Sequence, residues 1–399
     1  MAVEIKARNN FFARFTAFMG PAFLVSIGYI DPGNWAANFA GGSRYGSIML
    51  VFVFLCNLLA ILFQSLAAFL ALKTGKSLAE NIIERFPKSI VAFYGVLAVA
   101  GAMATDVAEF VGAALGFSLI FGLDLRESVL FAVTLIISGY FLEKKGSRKI
   151  EFLIMGFLAA IGVSYLLEFI LLKPELKTIF TGMKLVLDNN LLFVVLGMLG
   201  ATVMPHNIFL HSELVVEKLK QGIITSKELP VVLFENLVAL NLAFLVNSSM
   251  IVVAKAMFYE QGIVVDSLRS IYHTLEPVLN GLAALVFGLA LIFCGLSSSL
   301  TGTLAGQDLL EKFLPVKLPV LARKIIIITP ALYFFLKGFG EMKLLLLSQV
   351  VLSFVLPFVL FVLLRLLKGL INKYLLTLGW FFTVLIGICN GVLLWTSIF

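Results

Sequence analysis

Apolar residues run along this chain in long blocks, cut by short clusters of charge, proline and glycine. Blocks of about 20 residues match the roughly 30 Å hydrocarbon thickness of a bilayer. Eleven are drawn, at approximately 15–43, 46–72, 89–121, 126–143, 150–172, 191–216, 231–256, 277–307, 324–336, 344–367 and 375–397. Each predicts a helix that crosses a membrane, because a helix satisfies its own backbone groups in lipid. The ninth is short and holds Pro330. No loop is long enough to fold separately, so the pattern predicts an all-α polytopic membrane protein with a single domain over 1–399.

Two blocks are interrupted in the same way. The first contains "GYIDPGN" (28–34) and the sixth "ATVMPHN" (201–207), so Asp31 faces Met204, Pro32 faces Pro205, Gly33 faces His206 and Asn34 faces Asn207, 173 positions apart. An aspartate at a bilayer centre costs roughly 2.5–3.5 kcal/mol on insertion scales, and Pro and Gly break helices. The second break falls five blocks after the first, so the sixth crosses in the opposite sense from the first. This predicts an inverted repeat of five plus five helices, with repeat one at about 15–172, repeat two at about 191–367 and an additional helix at about 375–397. Transporters of this build break the first helix of each repeat at the midplane and offer the freed backbone to an ion or substrate. The competing reading is two unrelated proline kinks; recurrence at equivalent positions favours a paired site.

Composition agrees with the membrane reading: 61% of residues are hydrophobic, 38 are Phe and 13% are charged. Soluble chains are nearer half apolar and a quarter charged. The net charge of +7 does not point to nucleic acid, because the basic residues sit in short loops rather than in one patch. Loops assigned to one side carry 21 of the 30 Lys and Arg, those on the other side 9. The positive-inside rule then puts the N-terminus in the cytoplasm and, with eleven crossings, the C-terminus outside. Short termini and a compact chain predict a prokaryotic cell membrane (plasma or inner). Lys6, Arg8 and Arg14 ahead of an apolar run imitate a signal peptide, but no A-x-A pattern follows, so the run is read as the first helix. Cys56, Cys294 and Cys389 are odd in number, lie in apolar blocks and form no CxxC, which predicts neither a disulfide framework nor a zinc site. No HExxH or GxGD occurs, and the chain is not read as an enzyme.

The breaks bring together a carboxylate (Asp31), an amide oxygen (Asn34), a thioether (Met204) and the freed carbonyl of Ala201. The oxygens suit hard cations and the sulfur suits borderline or soft ones. Ca²⁺ and Mg²⁺ would give up tightly held water for a poor ligand, so the set favours Mn²⁺ and Fe²⁺, with Cd²⁺ as a mimic. The other reading of Met204 is core packing. Asp31 would repel a carboxylate substrate. Asp106 and Glu109 lie three residues apart on one face of the third helix, either as a proton path or as a protonated pair bonded to neighbouring helices. His206 and His211 follow the second break, and a histidine beside the site, as a residue type that ordinarily titrates near neutrality, makes His206 a candidate for proton coupling. Lys324 and Arg323 are either partners of those acids or markers of the positive-inside boundary. Glu168 and Glu235, near span ends, are expected to reach the interface, and Gly302 with Gly306 makes a helix-packing GxxxG.

"DPGNWAANFAGG" and "MPHN", with "MATDVAEFVGAALG" (103–116), "GLSSSLTGTLAG" (295–306) and "LSQVVLSFVLPF" (347–358), resemble the Nramp family of divalent transition-metal transporters, in its prokaryotic type. The resemblance implies a LeuT-type fold and alternating-access import of metal with proton co-transport. It carries over Asp31, Asn34, the Ala201 carbonyl and Met204 as metal ligands, with Gln349 contributing in some conformations. The family's proton route also resembles the Asp106 and Glu109 pairing, and Asp31 and His206 are added to that expected route from their chemistry beside the site. Many relatives carry an acid two turns before Asp106, where this chain has Val99. The metal and the proton are then substrates, with no permanently bound cofactor, no nucleic acid and no obligatory protein partner, a monomer being sufficient. The alternative is a cation channel or uniporter without proton coupling, for which no filter motif is present.

Overall fold

The computed structural model describes residues 20–124, 127–134, 183–279, 285, 287–295, 309, 312–313, 329, 332–333 and 337–398. Among these residues the regular structure is all helical. In chain order the helices are α1 Pro21–Ile27, a 3-10 turn Gly28–Ile30, α2 Pro32–Tyr45, α3 Ile48–Thr74, α4 Leu78–Arg85 and α5 Lys88–Phe121. Then come α6 Asn189–Thr202, α7 Pro205–Lys220, α8 Leu229–Met257, α9 Leu268–Leu279, α10 Glu341–Leu367 and α11 Lys373–Ile398.

Among the described residues six helical runs are long and apolar enough to cross a membrane: α3, α5, α6 with α7, α8 continued to Gln261, α10 and α11. They coincide with the expected second, third, sixth, seventh, tenth and eleventh spans, and α1 with α2 forms the broken first. The expected fourth span is described only over 127–134 and the eighth mainly over 287–295, both helical. The fifth and most of the ninth, with Glu168, Gly302, Gly306, Arg323 and Lys324, lie outside the described residues.

Both breaks have one physical cause. A residue before proline is pushed out of the α region by its clash with the ring. Asp31 precedes Pro32 and is extended (φ −75°, ψ 164°); Met204 precedes Pro205 and is extended as well (φ −66°, ψ 124°). Each proline then occupies the first turn of a new helix, where its missing N–H costs nothing. The prolines thus interrupt the old helix and start the next.

α10 runs along α5 and α6, α2 lies against α8, α6, α10 and α5, and α7 lies against α3. The broken helices are therefore central: 83% of the most apolar stretch of α6–α7 is buried, against 22% for α11. The rim of α3, α10 and α11 exposes Phe54, Leu55, Phe361, Phe381 and Ile388, as a lipid-facing surface should. At Gly200 of α6, a Cβ would fall 1.9 Å from the Gln349 carbonyl oxygen of α10, so these two helices touch at a distance only glycine allows. The short α4 was not expected, being too brief to span a membrane. A capping box between Ser77 and Glu80 starts it, and Lys220 reaches Glu80 at 3.4 Å.

Candidate functional site

Breaking a helix in a membrane frees carbonyls that water cannot satisfy, and those of the 3-10 turn at the first break find side-chain donors. Gly28 O accepts from Asn34 Nδ2 at 3.4 Å and Tyr29 O from Asn247 Nδ2 at 2.8 Å. Ile30 O accepts from Trp35 Nε1 at 3.1 Å and from the Cys294 thiol. Cys294, in neither a disulfide nor a zinc pattern, is thus a hydrogen-bond donor, and Asn247 on α8 is a structural residue that sequence reading missed.

Asp31 is completely buried and caps α2. Its Oδ1 accepts from the Asn34 backbone N–H at 2.7 Å and from Asn34 Nδ2 at 2.8 Å. Its Oδ2 accepts from Gln349 Nε2 at 3.2 Å. Asn34 Nδ2 also donates to the Ala201 carbonyl at 2.9 Å, across 167 residues. One asparagine therefore ties the carboxylate of the first break to the freed carbonyl of the second. The Ala201 carbonyl comes from the C-terminal end of α6, the negative end of that half-helix, whereas Asp31 and Asn34 open α2.

Met204 is also fully buried, packed with Ala104 and Leu352. Its sulfur accepts from Asn207 Nδ2 at 3.3 Å. Gly28 lies between the breaks: a Cβ there would be 2.7 Å from Asn207 Nδ2 and 3.3 Å from the Met204 sulfur. Gln349 reaches Asp31 over Gly33, where a Cβ would sit 1.8 Å from Gln349 Nε2. The five expected ligand residues, Asp31, Asn34, Ala201, Met204 and Gln349, converge on one buried locus. Two buried amide oxygens, Asn34 Oδ1 and Gln349 Oε1, have no hydrogen-bond partner. Among the described residues no cluster of three or more His, Cys, Asp and Glu offers a rival metal site.

Of the expected proton residues, Asp31 is in the cluster, and His206 follows the second break on α7. His206 is buried, and its Nδ1 lies 3.4 Å from Thr105 Oγ1, so the second break meets α5 at the residue before Asp106. Glu109 is buried and Asp106 half-buried. His211 is buried one turn further along α7. The expectation for Glu235 needs correction. Its side chain is fully buried instead of reaching the interface, and Oε1 accepts from Gly20 N at 2.7 Å and Ala22 N at 3.2 Å. It caps the start of α1 from α8, since unpaired N–H groups at a helix start attract a carboxylate.

Comparison with known proteins bears on the family and the fold. The chain is 38% identical over 395 residues to the divalent metal cation transporter MntH of Deinococcus radiodurans, covering 96% of this chain and 90% of that one. It is 36% identical over 348 residues to the MntH of Caldanaerobacter subterraneus, covering 86% and 83%. Among solved structures it resembles the Eremococcus coleocola manganese transporter, with TM-score 0.83, 26% identity and coverage of 96% and 87%. Mhp1, a nucleobase-cation-symport-1 family transporter, superposes with TM-score 0.52 at 16% identity over 90% of this chain and 81% of that one; this likeness places the architecture among LeuT-type folds. The model of the family described as natural resistance-associated macrophage protein-like matches residues 22–396, and the chain therefore belongs to the Nramp family.

Proposed function

We propose that this chain imports divalent transition-metal ions, Mn²⁺ or Fe²⁺ with Cd²⁺ as a mimic, by alternating access with proton co-transport. The observation that carries the reading is the Asn34 bridge between Asp31 and the Ala201 carbonyl, which joins the two breaks in one buried site. Asp31 brings the charge a divalent cation requires. Asn34, Gln349 and the Ala201 carbonyl bring neutral oxygens, and Met204 brings the sulfur that disfavours Ca²⁺ and Mg²⁺. The relatives named MntH and manganese transporter support the same substrate class.

A divalent ion entering at about −100 mV gains about 4.6 kcal/mol, so metal charge alone does not require protons. The coupling is assigned to Asp31, Asp106, Glu109 and His206, supported by the approach of His206 to Thr105 beside Asp106. Arg323 and Lys324 join them by sequence only. The excess of Lys and Arg in the loops of one side supports a cytoplasmic N-terminus, in a cell membrane.

The test is Mn²⁺ uptake into proteoliposomes with internal pH recorded. Mn²⁺-dependent acidification is expected, saturable and poorly supported by Mg²⁺. Asp106→Asn is expected to keep Mn²⁺ entry and lose acidification. Mn²⁺ entry without proton movement in the unaltered protein would reduce the function to uniport, and no Mn²⁺ entry would overturn it.

A further inference from the structure

The Asp31 carboxylate accepts from amide groups, among them the side-chain amides of two expected metal ligands, Asn34 and Gln349. Asn34 Nδ2 stands among three oxygens, at 2.8 Å from Asp31 Oδ1, 2.9 Å from Ala201 O and 3.4 Å from Gly28 O. These neighbours only accept, so the NH₂ half of the carboxamide must face them. Gln349 is oriented by the same logic. Its Nε2 faces Asp31 Oδ2 at 3.2 Å and Ser348 Oγ at 3.4 Å. The Ser348 hydroxyl donates its proton to Leu345 O at 2.6 Å and so has only lone pairs left for Gln349. Turned over, Gln349 would set its oxygen against a carboxylate. The other half of each carboxamide, Asn34 Oδ1 and Gln349 Oε1, is buried without a partner.

We propose that Asn34 and Gln349 are exchange ligands: each satisfies Asp31 with its NH₂ group when no ion is bound, and turns over to give the ion its oxygen when one enters. The proposal rests on reading the two breaks as a metal site. In the ion-free site the Asn34 NH₂ group fills the space between the carboxylate and the Ala201 carbonyl. On entry the cation takes that space, both amide oxygens gain a partner and both NH₂ groups leave the carboxylate. On exit the sequence reverses, so Asp31 is never left buried and unsolvated, which would be costly. A rigid cage of oxygens would lack this, since emptying it leaves like dipoles facing one another. Gly33 permits the motion of Gln349, whose amide occupies the volume that a Cβ would fill.

The experiment is isotope-edited infrared difference spectroscopy on the full chain in lipid bilayers, with ¹³C in the Asn and Gln side-chain carboxamides, with and without Cd²⁺. Calorimetry on the same samples reports whether Cd²⁺ binds. Two carboxamide C=O bands are expected to shift to lower frequency on binding, one missing in Asn34→Ser and the other in Gln349→Leu. Where either variant folds poorly, Asn34→Asp and Gln349→Glu provide the same assignment while keeping the side-chain shape. Bound Cd²⁺ with neither band or only one band shifted overturns the exchange and leaves the metal-site reading standing. Absence of Cd²⁺ binding overturns the metal-site reading, and the exchange with it.

Discussion

At Asp31 a broken helix restarts on a carboxylate, and at Met204 the matching helix of the second repeat restarts on a thioether. The backbones are alike: each residue precedes a proline and is extended, and three residues later an asparagine turns its amide back. Asn34 reaches Asp31 Oδ1 at 2.8 Å, and Asn207 reaches the Met204 sulfur at 3.3 Å. The environments differ. Asp31 gathers amide donors on both oxygens, whereas Met204 has one weak donor and packs against Ala104 and Leu352. Proline sets the break, and the residue before it sets the chemistry. Burying a charge calls for hydrogen bonds; burying a sulfur calls for fit.

The strongest way to separate the two halves is Asp31→Asn. Asparagine is as good an N-cap as aspartate, so the fold is expected to persist while Mn²⁺ uptake in proteoliposomes is abolished; retained uptake would show that the carboxylate is not the anchor. Next comes Gly200→Ala against Gly33→Ala. The first drives a Cβ into backbone atoms of α10 and should cost about 3 kcal/mol or more, visible as a lower melting temperature or failure to fold. The second meets only the Gln349 side chain; it should fold and lose roughly tenfold in Mn²⁺ affinity, equivalent to about 1.4 kcal/mol.

Met204→Leu nearly conserves volume and should cost less than about 1.5 kcal/mol in stability. Its expected effect is on selectivity, with Ca²⁺ and Mg²⁺ competing roughly tenfold better against Mn²⁺. Unchanged competition would return Met204 to core packing. The smallest effect concerns the contact between the helices that follow and precede the breaks, where Tyr45 donates to Asp188 Oδ1 at 2.7 Å. That hydrogen bond, helped by the Leu191 N–H, holds the Asp188 carboxyl below its ordinary range. A depressed folded pKa gives stability that is present above the unfolded value and lost as pH falls through the folded one. Tyr45→Phe should therefore lessen the loss of thermal stability on acidification below about pH 4, by under about 1 kcal/mol at this exposed site.

Much of this site was legible in the chain because its backbone cause is local. "DP" and "MP" inside apolar blocks dictate where the helices stop and start, and the repeat identifies Asn34 and Asn207 as equivalent. Contacts made by distant helix faces were not legible. Asn247 and Cys294 satisfy carbonyls more than 200 residues away along the chain, and nothing in their own surroundings announces it. Glu235 was misread because its position along α8 suggested a depth near the interface, whereas its direction around α8 decides its burial. α4 was missed because eight residues are too few for a span and its start depends on the Ser77–Glu80 capping box. Asn207 could have been singled out from the repeat alone, since its partner Asn34 was.

The central claim is that both breaks hold one ion, with oxygen from the first and sulfur from the second. X-ray absorption spectroscopy at the metal edge, on purified protein loaded with one equivalent of Cd²⁺, reads the donor atoms directly. The expected spectrum contains one sulfur scatterer among oxygens, and the sulfur disappears in Met204→Leu with the oxygens retained. A shell of oxygen and nitrogen alone in the unaltered protein would contradict the account.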